Sequence, residues 1–178
     1  VVAAASGGAV SDAPMQFESL AVTRAPGQTS RMAAGNGMLY QVSGSTAVTL
    51  DAGTKVLSGG EGLFLPSGQA VSLKAAPGEP AVLLQFRLVS ALPAGQPVET
   101  APAIVSELYR TTTPIPDLKS GGYDVNLSRI TFPPGMPPNP PHYRPGAPLF
   151  YVLPGPGADT LPVTTHTQGP CPLSLCPS

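Results

Sequence analysis

Tryptophan is absent from the 178-residue chain, cysteine and histidine occur twice each, and charged residues make up only 11%. Each scarcity excludes something. The cysteines, Cys171 and Cys176, are spaced C-x4-C near the end of the chain. That is neither a metal framework nor a thioredoxin-type motif, so two free thiols are expected, with pairing if the chain is exported. Sparse charge and a formal net charge of −1 argue against a charged disordered tail and against a partner bound through phosphate contacts. No nucleic-acid partner is therefore expected. No run approaches the roughly 20 apolar residues of a spanning helix, so no membrane span is expected. There is no Gly-rich phosphate loop before a helix, no G-x-S-x-G and no Ser/His/Asp order.

What the chain has instead is 24 Pro, 20 Gly and a hydrophobic fraction of 42%. Proline at that frequency excludes long helices, while the apolar fraction supplies a core. A turn-rich, all-β protein follows. Period-two alternation predicts strands at Phe17 to Arg24, Gly37 to Ser43, Thr46 to Asp51, Gly62 to Leu65, Gln69 to Ala75 and Ala81 to Val89. In the last of these, Val82, Leu84, Phe86 and Leu88 share one face, and Gln85 and Arg87 the other. Ala103 to Arg110 reads as a short helix or a strand, with Glu107 and Arg110 compatible with an exposed helical face. Tyr123 to Phe132 and Leu149 to Leu153 read as further strands. Short strands separated by Gly or Pro turns suggest an antiparallel sandwich or barrel.

Sliding the chain by 111 residues aligns Pro26 with Pro137, Gly35 with Gly146, Tyr40 with Tyr151, Gly44 with Gly155, and Pro66-Ser67 with Pro177-Ser178. The matches fall on turn residues, where backbone geometry is demanding. They predict two copies of one β module. Nothing in the second copy matches Gly68 to Val89, and 14 of the 24 prolines follow residue 130. The second copy is expected to be incomplete, as in a fragment of a longer chain. The expected organisation is a flexible leader at 1–14, a first barrel at 15–91, a connector at 92–118 and an incomplete second barrel at 119–178. For Val1 to Val10 the alternative is the tail of a cleaved export signal. Cytoplasmic and exported locations are equally consistent.

Gly60-Glu-Gly-Leu-Phe-Leu-Pro66-Ser-Gly68 resembles the second motif of the cupin superfamily: a Gly, five residues, then Pro-x-Gly. Gly37-Met-Leu-Tyr-Gln-Val-Ser-Gly44 resembles the end of the first motif, and Pro134 to Gly155 resembles a whole first motif. The resemblance implies a cupin-type double-stranded β-helix, or jelly-roll barrel, with a partial second copy, similar to a bicupin whose second barrel is cut short. Cupins span many chemistries, so it implies a fold rather than an activity.

Metal-binding cupins carry His-x-His and then Glu on the first motif and a later His on the second. In the first copy the repeat register puts Arg31 and Ala33 at the His pair, Gly37 or Met38 at the Glu, and Val71 at the late His. None supplies a nitrogen or carboxylate ligand, and the Met38 thioether suits only soft metals. In the second copy His142 matches the first His, but Arg144 stands at the second, and Pro148 or Leu149 at the Glu. The resemblance thus implies a degenerate metal site, a metal-free first barrel with an apolar interior, and no cofactor. His142 is a weak metal candidate. A divalent metal enters only under the alternative of a dioxygenase- or isomerase-type enzyme completed by sequence beyond this chain.

Candidate ligand-binding residues are His142, Tyr143 and Arg144, whose planar guanidinium suits an anion or carboxylate, together with Tyr40 and Tyr151. For the two tyrosines the plainer reading is a core ring with its hydroxyl at the rim. His166 is expected to be exposed, and Asp51 and Asp124 to be turn and edge residues. No catalytic residue is assigned. The expected function is a non-catalytic module that binds or senses a small molecule. A structural barrel that forms a homodimer through its edge strands is a further alternative.

Overall fold

The computed structural model describes residues 1–10, 13–33, 37–90, 102–115, 118, 120–131, 133–136, 149, 151 and 153. Eleven strands follow one another: β1 (Ala3–Val10), β2 (Met15–Arg24), β3 (Thr29–Ala33), β4 (Gly37–Ser43), β5 (Thr46–Leu50), β6 (Gly53–Leu57), β7 (Gly62–Leu65), β8 (Ala70–Ala75), β9 (Ala81–Ser90), β10 (Ile104–Arg110) and β11 (Gly121–Leu127). Among the described residues there is no helix, and so none long and apolar enough to cross a membrane.

The pairing is nested. β5 pairs with β6, β4 with β7, β3 with β8 and β2 with β9, all antiparallel. The chain is thus one long two-stranded ribbon whose tip is the β5–β6 hairpin. The ribbon coils on itself: β4 also pairs with β9, and β5 with β8. The result is a five-stranded sheet ordered β10-β2-β9-β4-β7 and a four-stranded sheet ordered β3-β8-β5-β6. A ribbon wound this way is a double-stranded β-helix, the jelly-roll arrangement of cupin type.

Local chemistry sets the turns. Pro26-Gly27 joins β2 to β3, and the Gln28 N–H closes the turn on the Ala25 carbonyl at 3.0 Å. Gly44 has φ +67°, and a Cβ there would lie 2.5 Å from the Pro80 carbonyl oxygen. Only glycine satisfies both constraints. Between β6 and β7, Glu61 closes its own turn, accepting the Ser58 N–H at 2.7 Å through its carboxylate.

Between the two sheets lies the core: Met32, Leu39, Val48, Leu57, Leu65, Val71, Leu73 and Leu83, with Leu50 and Leu63 packed against it. Each such side chain contributes about 1.5–3 kcal/mol relative to exposure. Leu83 belongs to this core, so the inward face of β9 carries Leu83, Gln85 and Arg87. The uninterrupted apolar face, Val82, Leu84, Phe86 and Leu88, points out of the barrel. Paired residues share a face, so Tyr40, opposite Leu84 and Gly62, also points outward. Part of that outer face is covered by another segment. A Cβ on Gly62 would lie 2.9 Å from Val2 Cγ1 and 3.2 Å from Leu127 Cδ2. Val2 and Leu127 belong to the β1–β11 arm, so Gly62 is the residue over which that arm passes.

The structure redraws the expected segments. The stretch expected to be a flexible leader contains β1, whose partner is β11, from the stretch expected to form a second barrel. Ala3–Val10 lacks the residues that mark a strand from sequence, and its pairing is interrupted between Ala5 and Gly8. Tertiary pairing overrides weak local propensity there. The stretch expected to be a connector contains β10, which extends the five-stranded sheet beside β2. Its register shifts between Glu107 and Tyr109. The extra residue brings Glu107 and Arg110 to the same face, which is why their i, i+3 spacing imitates a helix.

Backbone contacts divide the chain into Val1–Thr131 and Phe132–Ser178. In the second unit Pro134-Gly135 forms a turn, closed from the Met136 N–H to the Pro133 carbonyl at 3.2 Å. Leu149, Tyr151 and Leu153, the described positions of the strand expected there, are not in a strand. The rest of the expected second barrel lies outside the described residues.

Candidate functional site at one end of the barrel

One row of residues crosses the five-stranded sheet on its inward face. It runs Arg110 (β10), Glu18 (β2), Arg87 (β9), Gly37 (β4) and Leu65 (β7), each paired with the next. Arg110 and Leu65 end their strands and Gly37 begins its own, so the row marks one end of the barrel. One step inward along β9, about 7 Å, is Gln85. Its Nε2 donates to the Met32 Sδ at 3.5 Å, linking the two sheets.

The centre of the row is a carboxylate held by two guanidinium groups. The Glu18 side chain is 1% exposed. Arg87 Nε donates to Glu18 Oε2 at 2.7 Å, and Arg87 Nη2 pairs with the same oxygen. Arg110 Nη2 pairs with Glu18 Oε1. Arg110 in turn donates through Nε to Glu107 Oε2 at 3.2 Å. Exposure rises along the chain of charges: Arg87 is 15% exposed, Arg110 39% and Glu107 51%. A buried carboxylate persists only where strong donors replace its water, and the two arginines are those donors.

The segment after β10 is tied to the same end of β2. Phe17 N–H donates to Thr111 Oγ1 at 3.1 Å, and Thr111 N–H returns to the Phe17 carbonyl at 3.0 Å. Ile115 N–H then donates to the Met15 carbonyl at 2.8 Å. At the opposite end of β2, Arg24 is fully buried and donates through Nε to Ser30 Oγ at 2.7 Å.

The expected apolar interior is therefore corrected: it is apolar at its centre and polar at both ends. Glu18, Leu20, Val22 and Arg24 alternate regularly along β2, so the sequence carried the signal that Glu18 and Arg24 share the face of Leu20 and Val22. Two charges on an apolar face are easily read as surface residues.

The metal positions shift by one residue as well. Arg31 is exposed, whereas Met32 is buried opposite Val71. A one-residue shift exchanges the faces of a strand, so the inward residue beside Val71 is Met32. Met32, Val71 and Gly37 supply at most one thioether, which does not fit the nitrogen and carboxylate donors that a hard or borderline divalent metal needs. Among the described residues, no three His, Cys, Asp or Glu side chains gather as a metal site would require.

Of the residues singled out from sequence, Tyr40 is buried on the outer face and contributes nothing to the barrel interior. Tyr151 is exposed. His142, Tyr143, Arg144, His166, Cys171 and Cys176 lie outside the described residues.

The strand order defines the class as an all-β barrel of the double-stranded β-helix type. No protein-family model matches the chain, and no curated protein matches it in sequence. Similar solved structures include proteins described as cupins. A Cupin 2 conserved barrel domain protein from Salinispora arenicola is 20% identical, with a TM-score of 0.38, and the match covers 45% of this chain and 66% of that one. A cupin superfamily protein from Desulfitobacterium hafniense is 16% identical, with a TM-score of 0.37 over 49% of this chain and 79% of that one. The polyketide cyclase RemF from Streptomyces resistomycificus is 18% identical, with a TM-score of 0.36 over 52% of this chain and 79% of that one.

Proposed function

We propose that the β2–β9 barrel is a non-catalytic cupin module that takes a small, partly apolar molecule at the end marked by Glu18 and Arg87. The observation that carries the reading is the pairing of Met32 with Val71 on the inward face, where a metal-dependent relative would need ligands. Supporting it, the one carboxylate in the inward row, Glu18, is held by arginines on both of its oxygens and so is not positioned as a general base. The apolar centre offers burial to a hydrocarbon group, and the polar end offers orientation, the usual division of labour in a ligand site.

The test is native mass spectrometry of the full chain, purified without added ligand, beside the same sample after denaturation. A retained small-molecule mass, lost on denaturation, is the expected result. A bare protein mass, with no thermal stabilisation by any member of a panel of small organic acids, amides and alcohols, would overturn the reading.

A further inference from the structure

We propose that the β1–β11 arm is a strap. It opens from the barrel as one unit while the barrel stays folded, and opening bares the Gly62 end of an apolar row on the outer face.

Three observations converge on the arm. The first is what joins its two strands. Every β1–β11 register pair has alanine or glycine on at least one side, from Ala3–Leu127 at one end to Val10–Gly121 at the other. Cross-strand side-chain contacts are the unit of sheet stabilisation, and each of these pairs offers little to contact. The register also shifts between Ala5 and Gly8, which breaks the ladder near its middle. A lone two-stranded sheet is marginal in water even with larger side chains.

The second is how the arm is held. It forms its own two-stranded sheet and shares no ladder with β7, the barrel strand it adjoins. No residue of β11 is buried, and neither is any of residues 1–5. Val2 and Leu127 rest on Gly62, which offers them bare backbone and no side chain to pack against. Apolar burial is what ties one element to another, and such a seat limits it. The barrel, by contrast, closes on eight buried apolar side chains. Elements with few buried apolar contacts open at free energies well below global unfolding.

The third is what lies beneath. Gly62, Tyr40 and Leu84 form one outward row across β7, β4 and β9. Tyr40 and Leu84 point out of the barrel, yet they are only 6% and 4% exposed. The arm sits on the Gly62 end of this row. Lifting it turns that end toward solvent and breaks no pairing of the barrel, because β7 keeps β4 as its partner.

The experiment is hydrogen exchange on the full chain, read residue by residue by NMR, with and without low urea. Relative to unstructured rates, the paired amides of β1 and β11 are expected to exchange at least about a hundredfold faster than those of β5 and β8. They are expected to share one protection value, and to respond less to urea because the opening exposes less surface. Protection and urea dependence equal to those of the barrel would overturn the proposal, since the arm would then open only with the whole domain. Separate values for β1 and β11, or no protection in either, would also overturn it. Thiol labelling checks what is bared. In a chain carrying Cys171→Ser and Cys176→Ser, Tyr40→Cys is expected to react at least about tenfold faster than Leu39→Cys, its inward neighbour. Equal rates would contradict the uncovering. If either variant fails to fold, exchange in the unmodified chain decides by itself.

Discussion

Glu18 and Arg87 stand directly opposite each other on the inward face of the β2–β9 pair, with Arg87 Nε donating to Glu18 Oε2 at 2.7 Å. The two strands come from opposite ends of the coiled ribbon, 69 residues apart in sequence. The ion pair thus closes the barrel where its first and last turns meet. Along this row, charge replaces hydrocarbon on three adjacent strands of the five-stranded sheet.

Removing the carboxylate strands two guanidinium groups, one of them largely buried. Glu18→Gln is expected to lower the unfolding free energy by about 3–5 kcal/mol, read from the urea midpoint. Arg110→Ala, at the more exposed end of the chain of charges, is expected to cost about 1 kcal/mol or less. Equal effects from the two substitutions would mean that the pairs do not differ in burial as described.

Gly62 reports on the arm. In Gly62→Ala the new Cβ meets the Leu39 carbonyl oxygen and Val2 Cγ1, both at 2.9 Å. A loss of about 1–3 kcal/mol is expected, the range for overpacking. Hydrogen exchange should localise the effect, with β1 and β11 losing protection while β5 and β8 keep theirs. Unchanged exchange in β1 and β11 would contradict the placement of the arm over Gly62.

The burial of Leu83 in the barrel core is testable by a pair of truncations. Leu83→Ala empties part of the barrel core and is expected to cost about 2–5 kcal/mol. Val56→Ala, on the exposed side of the hairpin, is expected to change stability by less than about 0.5 kcal/mol. A comparable cost at both positions would remove the distinction between the inward face and the hairpin surface.

Much of the ribbon was legible in the sequence because its central strands alternate and its turns carry Gly or Pro. β4, β7 and β9 stand within a residue of their expected limits. β3 and β6 were hidden for a different reason. Thr29–Ala33 and Gly53–Leu57 are short, and β6 buries only Leu57, so neither has the alternation that marks a half-buried strand. β1 was hidden by its small residues. The faces of β9 were legible as two sets, but not which set lay inside, because the β1–β11 arm buries part of the outer face. Its register match with Tyr151 made Tyr40 a candidate ligand residue, whereas the inward residues of β4 are Gly37, Leu39 and Gln41. The Glu18–Arg87–Arg110 row required three strands distant in sequence to be set in register, and no local pattern announces that.

The proposed function requires an interior without metal ligands, and the direct measurement is the metal content of the full chain. The untagged protein would be incubated with iron, manganese, nickel and zinc, dialysed and analysed by elemental mass spectrometry. The account predicts well below one equivalent of any metal, unchanged by Met32→Leu. Close to one equivalent of a single metal, surviving dialysis, would contradict it and favour a metal-dependent barrel.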